Sequence, residues 1–184
     1  DPGVYSYHDK GWRDYFRSTL AHNTVTVDNS DQCVFWGPFR VAYPPKARML
    51  EWSENHVVGE HEGYCRLKKP VLHRRRIDRK ASGEWEVVDH FDGSGEHDFA
   101  LNLQFSVGAK VELSGLNGEV RWPDGACLQV DCPSPSPGAV AKVEQGWVSS
   151  GWNLKDESPR YILRWNARVP LENRLVLRIK NCFT

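Results

Sequence analysis

Hydrophobic and polar residues alternate along most of this chain with a period of two, in short runs closed by turn residues. NTVTVD (23–28) stops at NSDQ, EWEVVDHF (84–91) at DGSGEH, and FALNLQFSV (99–107) at GAK. AKVELSGLNGEV, ACLQVDC, AKVEQGWVSS, RYILRWNARV and NRLVLRIKN continue the series between residues 109 and 181. Such alternation puts apolar side chains on one face of a strand and polar ones on the other. No segment carries apolar residues at i, i+3, i+4 and i+7 over three turns, so long helices are not expected. The pattern predicts an all-β fold, an antiparallel sandwich of two packed sheets with few or no helices. No internal repeat divides it. The proline- and serine-rich stretch CPSPSPGA (132–139) is flanked by strand-like runs and reads as a loop tip, so residues 1–184 read as one domain.

Composition narrows the function classes. Lysine plus arginine total 24 and aspartate plus glutamate total 24, so no global field selects an acidic or a basic partner. Seven of those cations lie in LKKPVLHRRRIDRK (67–80), which could line a polyanion groove. The acidic GEWEVVDHFDGSGEHD (83–98) follows through the turn ASGE, and a hairpin lets the two runs cancel as a solvated strand pair. No nucleic-acid motif is present, so no nucleic-acid partner is expected. No apolar run reaches the roughly 18 residues that a membrane span needs. The chain opens on the turn-forming DPG with no initiator methionine or signal peptide, as a piece of a longer polypeptide would.

The five cysteines (33, 65, 127, 132 and 182) form no CxxC pair and are odd in number. They argue against a disulfide framework and a thiolate zinc site, leaving buried free thiols or one bridge between Cys127 and Cys132.

The chemistry concentrates in FRSTLAHNTVTVDNSDQ (16–32). If residues 22–27 are a strand, Asn23, Val25 and Val27 face the core, while His22, Thr24 and Thr26 face out. An outward imidazole can meet solvent, substrate or metal, or simply bond to a neighbouring strand.

The run DPGVYSYHDKGWRDYFRSTLAHNTVTVDNSDQ resembles the C-terminal region of the heparinase II/III-like polysaccharide lyases. GEHEGYCRL, PVLHRRRI, EWEVVDHFDGSGEHDFALNLQFSVG and GWVSSGWNLKDESPRYILRW continue the likeness over essentially the whole chain. The resemblance implies a β-sandwich that follows an N-terminal helical toroid, with the cleft between the two. It implies β-elimination on an acidic, uronic-acid polysaccharide, in the periplasm or outside the cell. It also implies a zinc site in which the aspartate of DPG, Asp1, and the histidine of AHNTV, His22, are two ligands. The upstream HxH-type segment that would complete the site is absent, as are the toroid's catalytic groups. No catalytic residue is therefore assigned here, and the chain alone is expected to be inactive with a vacant or weakly held metal site. Tyr5, Tyr7, Tyr15 and Arg17 fall on what resembles a cleft-edge loop. Tyr7, Tyr15 and Arg17 are the candidate substrate contacts, through hydroxyl bonds and guanidinium–carboxylate pairing; covering the sandwich end is the alternative. Asn23 is expected to tie down a strand edge. Of eight tryptophans, Trp85 and Trp165 are expected in the core and Trp12 and Trp36 near the cleft. His61 and His73 are expected to serve packing or strand-edge hydrogen bonds. A non-catalytic carbohydrate-binding or scaffold module is the competing function class.

Overall fold

The computed structural model describes residues 1–133 and 136–181. Cys182, and Ser134 and Pro135 of the proline-rich loop, lie outside the described residues. An extended N-terminal segment leads into α1 (Lys10–Arg17) and a single 3-10 turn (Thr19–Ala21). Strands follow: β1 (Val25–Val27), β2 (Val34–Phe35), β3 (Val41–Ala42), β4 (Ala47–Ser53), β5 (His56–Tyr64), β6 (Val71–Arg79) and β7 (Glu84–Gly93). The rest are β8 (Glu96–Gln104), β9 (Lys110–Ser114), β10 (Asn117–Arg121), β11 (Ala126–Asp131), β12 (Val140–Gly151), β13 (Leu154–Arg168) and β14 (Leu171–Asn181).

The strands form two large antiparallel sheets and a small ribbon. One sheet has four strands in the order β1-β8-β13-β12; the other has eight, β4-β5-β6-β7-β14-β11-β10-β9. Strands β2 and β3 pair apart from both. Alternation supplies the core, as the pattern predicts. Phe99, Leu101 and Leu103 on β8 and Tyr161, Leu163 and Trp165 on β13 turn inward. They meet Val71, Phe91, Val120, Val130 and Leu175 of the larger sheet. Each such side chain contributes about 1.5–3 kcal/mol on burial. Phe91 and Phe99 touch across the sheets at 4.6 Å between ring centres, and Phe99 stacks on Trp165 at 5.2 Å. The buried Tyr64 hydroxyl donates to Val25 O at 2.6 Å, joining β5 to the edge strand β1. Burial pushes that phenol well above its ordinary range.

Several expectations need correction. The strand anticipated at 22–27 spans only Val25–Val27, because His22 ends the 3-10 turn. Thr26, expected to face out, is buried at 6% exposure and its hydroxyl lies 3.4 Å from Ala100 O. Tyr15 and Arg17 lie on a helix instead of a loop: Asp9 caps it by accepting from Trp12 N–H at 3.1 Å. Trp165 is in the core, whereas Trp85 is 37% exposed near the start of β7. Cys132 is a free thiol, so the bridge to Cys127 does not form.

Candidate functional site

Asp1 and His22 face each other beside the first helix. The His22 side chain is 36% exposed, and its Nδ1 lies 2.8 Å from the Ser18 carbonyl oxygen. A carbonyl only accepts, so Nδ1 carries a proton, and in the neutral form of the ring the lone pair is at Nε2. That nitrogen points at Asp1, whose Oδ2 is 3.6 Å away. The other carboxylate oxygen accepts from Gly3 N–H at 2.7 Å. Two lone-pair atoms at this separation repel unless a proton or a metal cation lies between them. Imidazole nitrogen and carboxylate oxygen form a donor set that zinc accepts, and the gap lets one ion touch both. Among the described residues no group of three or more histidine, cysteine, aspartate or glutamate side chains could hold a metal ion. The pair therefore fits part of a zinc site.

The His22 loop is anchored from both sheets. Asn23 does tie down a strand edge: its Oδ1 accepts from Gln104 N–H at 2.7 Å. From the larger sheet, Arg75 donates to Asn23 O at 2.6 Å. The same guanidinium grips Asp89 through two bonds, 2.7 and 2.8 Å. Asp89 is 1% exposed and also accepts from His73 Nε2 at 2.7 Å. Burial disfavours its charge, yet Arg75 and His73 override this and hold the carboxyl well below the usual carboxylate range.

The chain of bonds continues outward and then closes. Gly63 N–H donates to His61 Nδ1 at 3.1 Å, so His61 Nε2 carries the proton and donates to His73 Nδ1 at 3.0 Å. His73 in turn donates to Asp89. Every ring nitrogen is committed, which leaves His61 no free lone pair for base catalysis. Burial, then the neighbouring His73 and the Arg75 guanidinium, lowers its pKa to about 4. The hydrogen-bonding role expected of His61 and His73 is what the geometry displays. The solvated hairpin expected around them is only half right, because β6 and β7 do pair and cancel charge but Asp89 is buried.

A cavity of about 730 Å³ opens next to His22. Thr24, Phe35, Met49, Val57, His61 and Ile77 are among the residues lining it. Two of its arginines are paired with carboxylates, Arg48 with Glu60 at 2.7 Å and Arg75 with Asp89. Arg17, a candidate sugar-acid contact, instead bonds the carbonyls of Gly37 and Pro38 at 2.9 and 3.1 Å and lies over the Phe35 ring. It fixes the β2–β3 ribbon. The Tyr15 hydroxyl accepts from Trp147 N–H at 2.9 Å and so binds α1 to β12. Tyr7 is 40% exposed and packs against Phe39 and Trp152 at 5.1 and 5.0 Å between ring centres. Trp36 is 69% exposed on the ribbon, while Trp12 packs on Trp147 at 5.0 Å.

Lys155 and Trp147 were not singled out in the sequence, and they meet two residues that were. Lys155 on β13 sits over three rings, Trp12 at 4.4 Å, Tyr5 at 4.7 Å and Trp147 at 5.4 Å. Tyr5 and Trp12 lie near one end of the sequence and Trp147 and Lys155 near the other, and no local pattern announces the meeting of the two pairs.

Sheet order and core together define an antiparallel β-sandwich that carries a histidine–aspartate pair at one end. Residues 1–172 match the family described as heparinase II/III-like, C-terminal. The chain belongs to that family. It is 25% identical over 160 residues to a heparin-sulfate lyase of Bacteroides stercoris, an alignment covering 84% of this chain and 22% of the relative. A heparan sulfate lyase from Pedobacter heparinus superposes with a TM-score of 0.76 at 17% identity, covering 98% of this chain and 28% of that one. A solved heparinase III superposes at 0.78 with 22% identity, covering 98% and 27%. The chain thus spans about a quarter of the length of these relatives.

Proposed function

We propose that this chain is the β-sandwich part of a polysaccharide lyase that cleaves an acidic, uronic-acid glycan by β-elimination in the periplasm or outside the cell. It forms one wall of the cleft against an N-terminal helical toroid. Asp1 and His22 supply two ligands of a zinc site. Family membership and the names of the relatives support the reaction class. The observation that carries the site is the His22 Nε2 held 3.6 Å from the Asp1 carboxylate.

Elimination removes the proton alpha to the sugar carboxylate, stabilises the charge that develops there and protonates the leaving oxygen. No described residue takes those roles in this reading. A bound zinc ion would supply positive charge and fix the two segments that ligate it. The chain's own residues do the positioning: Ser18 O sets the His22 tautomer, and Arg75 and Gln104 hold the backbone and side chain of Asn23 beside it.

Zinc titration by calorimetry tests the site. Two protein ligands give binding weaker than about micromolar, abolished in His22→Ala and Asp1→Asn. Binding that neither substitution weakens would remove the assignment. Ultraviolet assay for unsaturated uronate tests the reaction. The 184-residue chain alone is expected to release none, whereas a longer polypeptide carrying this sandwich is expected to act and to lose at least about tenfold in rate with His22→Ala. Release by the chain alone, or an unchanged rate in the variant, would overturn the reading.

A further inference from the structure

Residues 1–5 run beside the β12–β13 turn as an added, irregular strand. Ser149 N–H donates to Pro2 O at 2.6 Å and Asn153 N–H to Tyr5 O at 2.8 Å. The Ser149 hydroxyl reaches Val4 O at 2.9 Å. Gly3 is required in this approach: its φ is +82°, and a Cβ there would lie 2.2 Å from Ser149 O. Gly3 N–H then donates to Asp1 Oδ1, so the carboxylate is oriented by the segment that the turn holds.

The end of that segment is locked by the aromatic box. Tyr5 belongs to the segment, Trp12 to α1 and Trp147 to β12; Lys155 Nζ lies within about 6 Å of all three ring centres, the range of cation–π attraction. Among the described residues Lys155 makes no ion pair, so the rings are the partners of its charge. One ammonium therefore joins the N-terminal segment, the helix leading to His22 and the hairpin that grips residues 2–5.

We infer that Lys155, through its box of Tyr5, Trp12 and Trp147, is a positioning residue for the Asp1 carboxylate. Its functional meaning rests on the metal reading above. Lys155 touches neither Asp1 nor His22. It acts by holding Tyr5 and the β12–β13 turn in register, which fixes the path of residues 1–5.

The test uses the 184-residue chain with Lys155→Met, which keeps the aliphatic stem and removes the charge, and Lys155→Arg, which keeps a cation. Amide hydrogen exchange is followed at Gly3, Ser149 and Asn153, with β5 and β6 amides as the reference, and zinc affinity is measured in parallel. The methionine variant should exchange about tenfold faster at the three amides with the reference unchanged, and bind zinc several-fold more weakly. The arginine variant should restore both to within about threefold. Unchanged exchange at the three amides overturns the proposal. So does equal acceleration of the reference amides, which marks a merely structural loss. Zinc binding that depends on His22 but not on Lys155 overturns it too. If the three amides respond while zinc binding depends on neither residue, the clamp stands and the metal reading falls. Lys155→Gln replaces the methionine variant should that one not fold.

Discussion

The two flanks of the Asp1–His22 gap are held by opposite chemistry. On the His22 side the anchor is ionic and buried: Asp89, Arg75 and His73 form a satisfied network whose outer arm grips Asn23 O. On the Asp1 side the anchor is backbone hydrogen bonds and one cation over aromatic rings, near the surface. A buried ion pair resists small perturbations but fails badly when one partner is removed. A surface clamp built from several weak contacts loosens by degrees. The first should behave as part of the global fold and the second as a local element.

Removing Asp89 should break the ionic side most severely. Asp89→Ala strands Arg75 and His73 and is expected to cost about 3–5 kcal/mol in urea denaturation, with His22 displaced. A cost below 1 kcal/mol would show that the network is not the main anchor. The next largest effect is on pH. An unfolded histidine titrates near about 6.5, whereas folded His61 does so near 4. Between those values the unfolded chain binds more protons, so stability is complete above about pH 6.5 and falls as pH drops toward 4. A loss of about 2–3 kcal/mol across that window is expected, diminished in His61→Gln. Asp89 adds a further loss at still lower pH, because its depressed pKa makes its contribution vanish on acidification.

Gly3→Ala should break only the other flank. Forcing a side chain to positive φ against Ser149 is expected to cost about 1–3 kcal/mol, read as faster exchange at residues 1–5 with β6 and β7 unchanged. Smallest is His56, half-buried between Asp78 at 2.5 Å and Glu51 at 3.0 Å. Hydrogen bonds to Asp78 and then Glu51 raise its pKa. Its contribution is present below the unfolded value and lost as pH rises through the folded one, opposite in sign to His61. His56→Gln should remove a shallow alkaline-side decline without altering the acid limb.

Much of the sandwich was legible because β8 and β13 place apolar residues at every second position, with Phe99, Leu101 and Leu103 beside Tyr161, Leu163 and Trp165, although Ala100, Asn102 and Ile162 between them are buried too. Strands β4 and β5 are not among the strand-like runs read from the sequence. Every residue of β4 is exposed and β5 carries Gly59 and Gly63, so neither shows a simple apolar face. Helix α1 is only eight residues long, too short for a 3.6-residue period to stand out. The pairing of Asp1 with His22 came from the family resemblance, since spacing alone does not bring residue 1 to residue 22. The buried network was half visible: turn-linked charges on β6 and β7 suggested cancellation. Nothing in composition tells a solvated pair from one sealed under a second sheet.

The seven-residue β4 is the outermost strand of its sheet and exposes Met49 and Trp52 at 68% and 73%. An open ladder of this kind can recruit a second polypeptide by strand addition, and apolar side chains favour it. The irregular register between Met49 and Glu51, together with the charges of Arg48 and Glu51, interrupts that template. The kink in this rim strand therefore works against edge-to-edge pairing at β4, and straightening it would leave a more continuous template there.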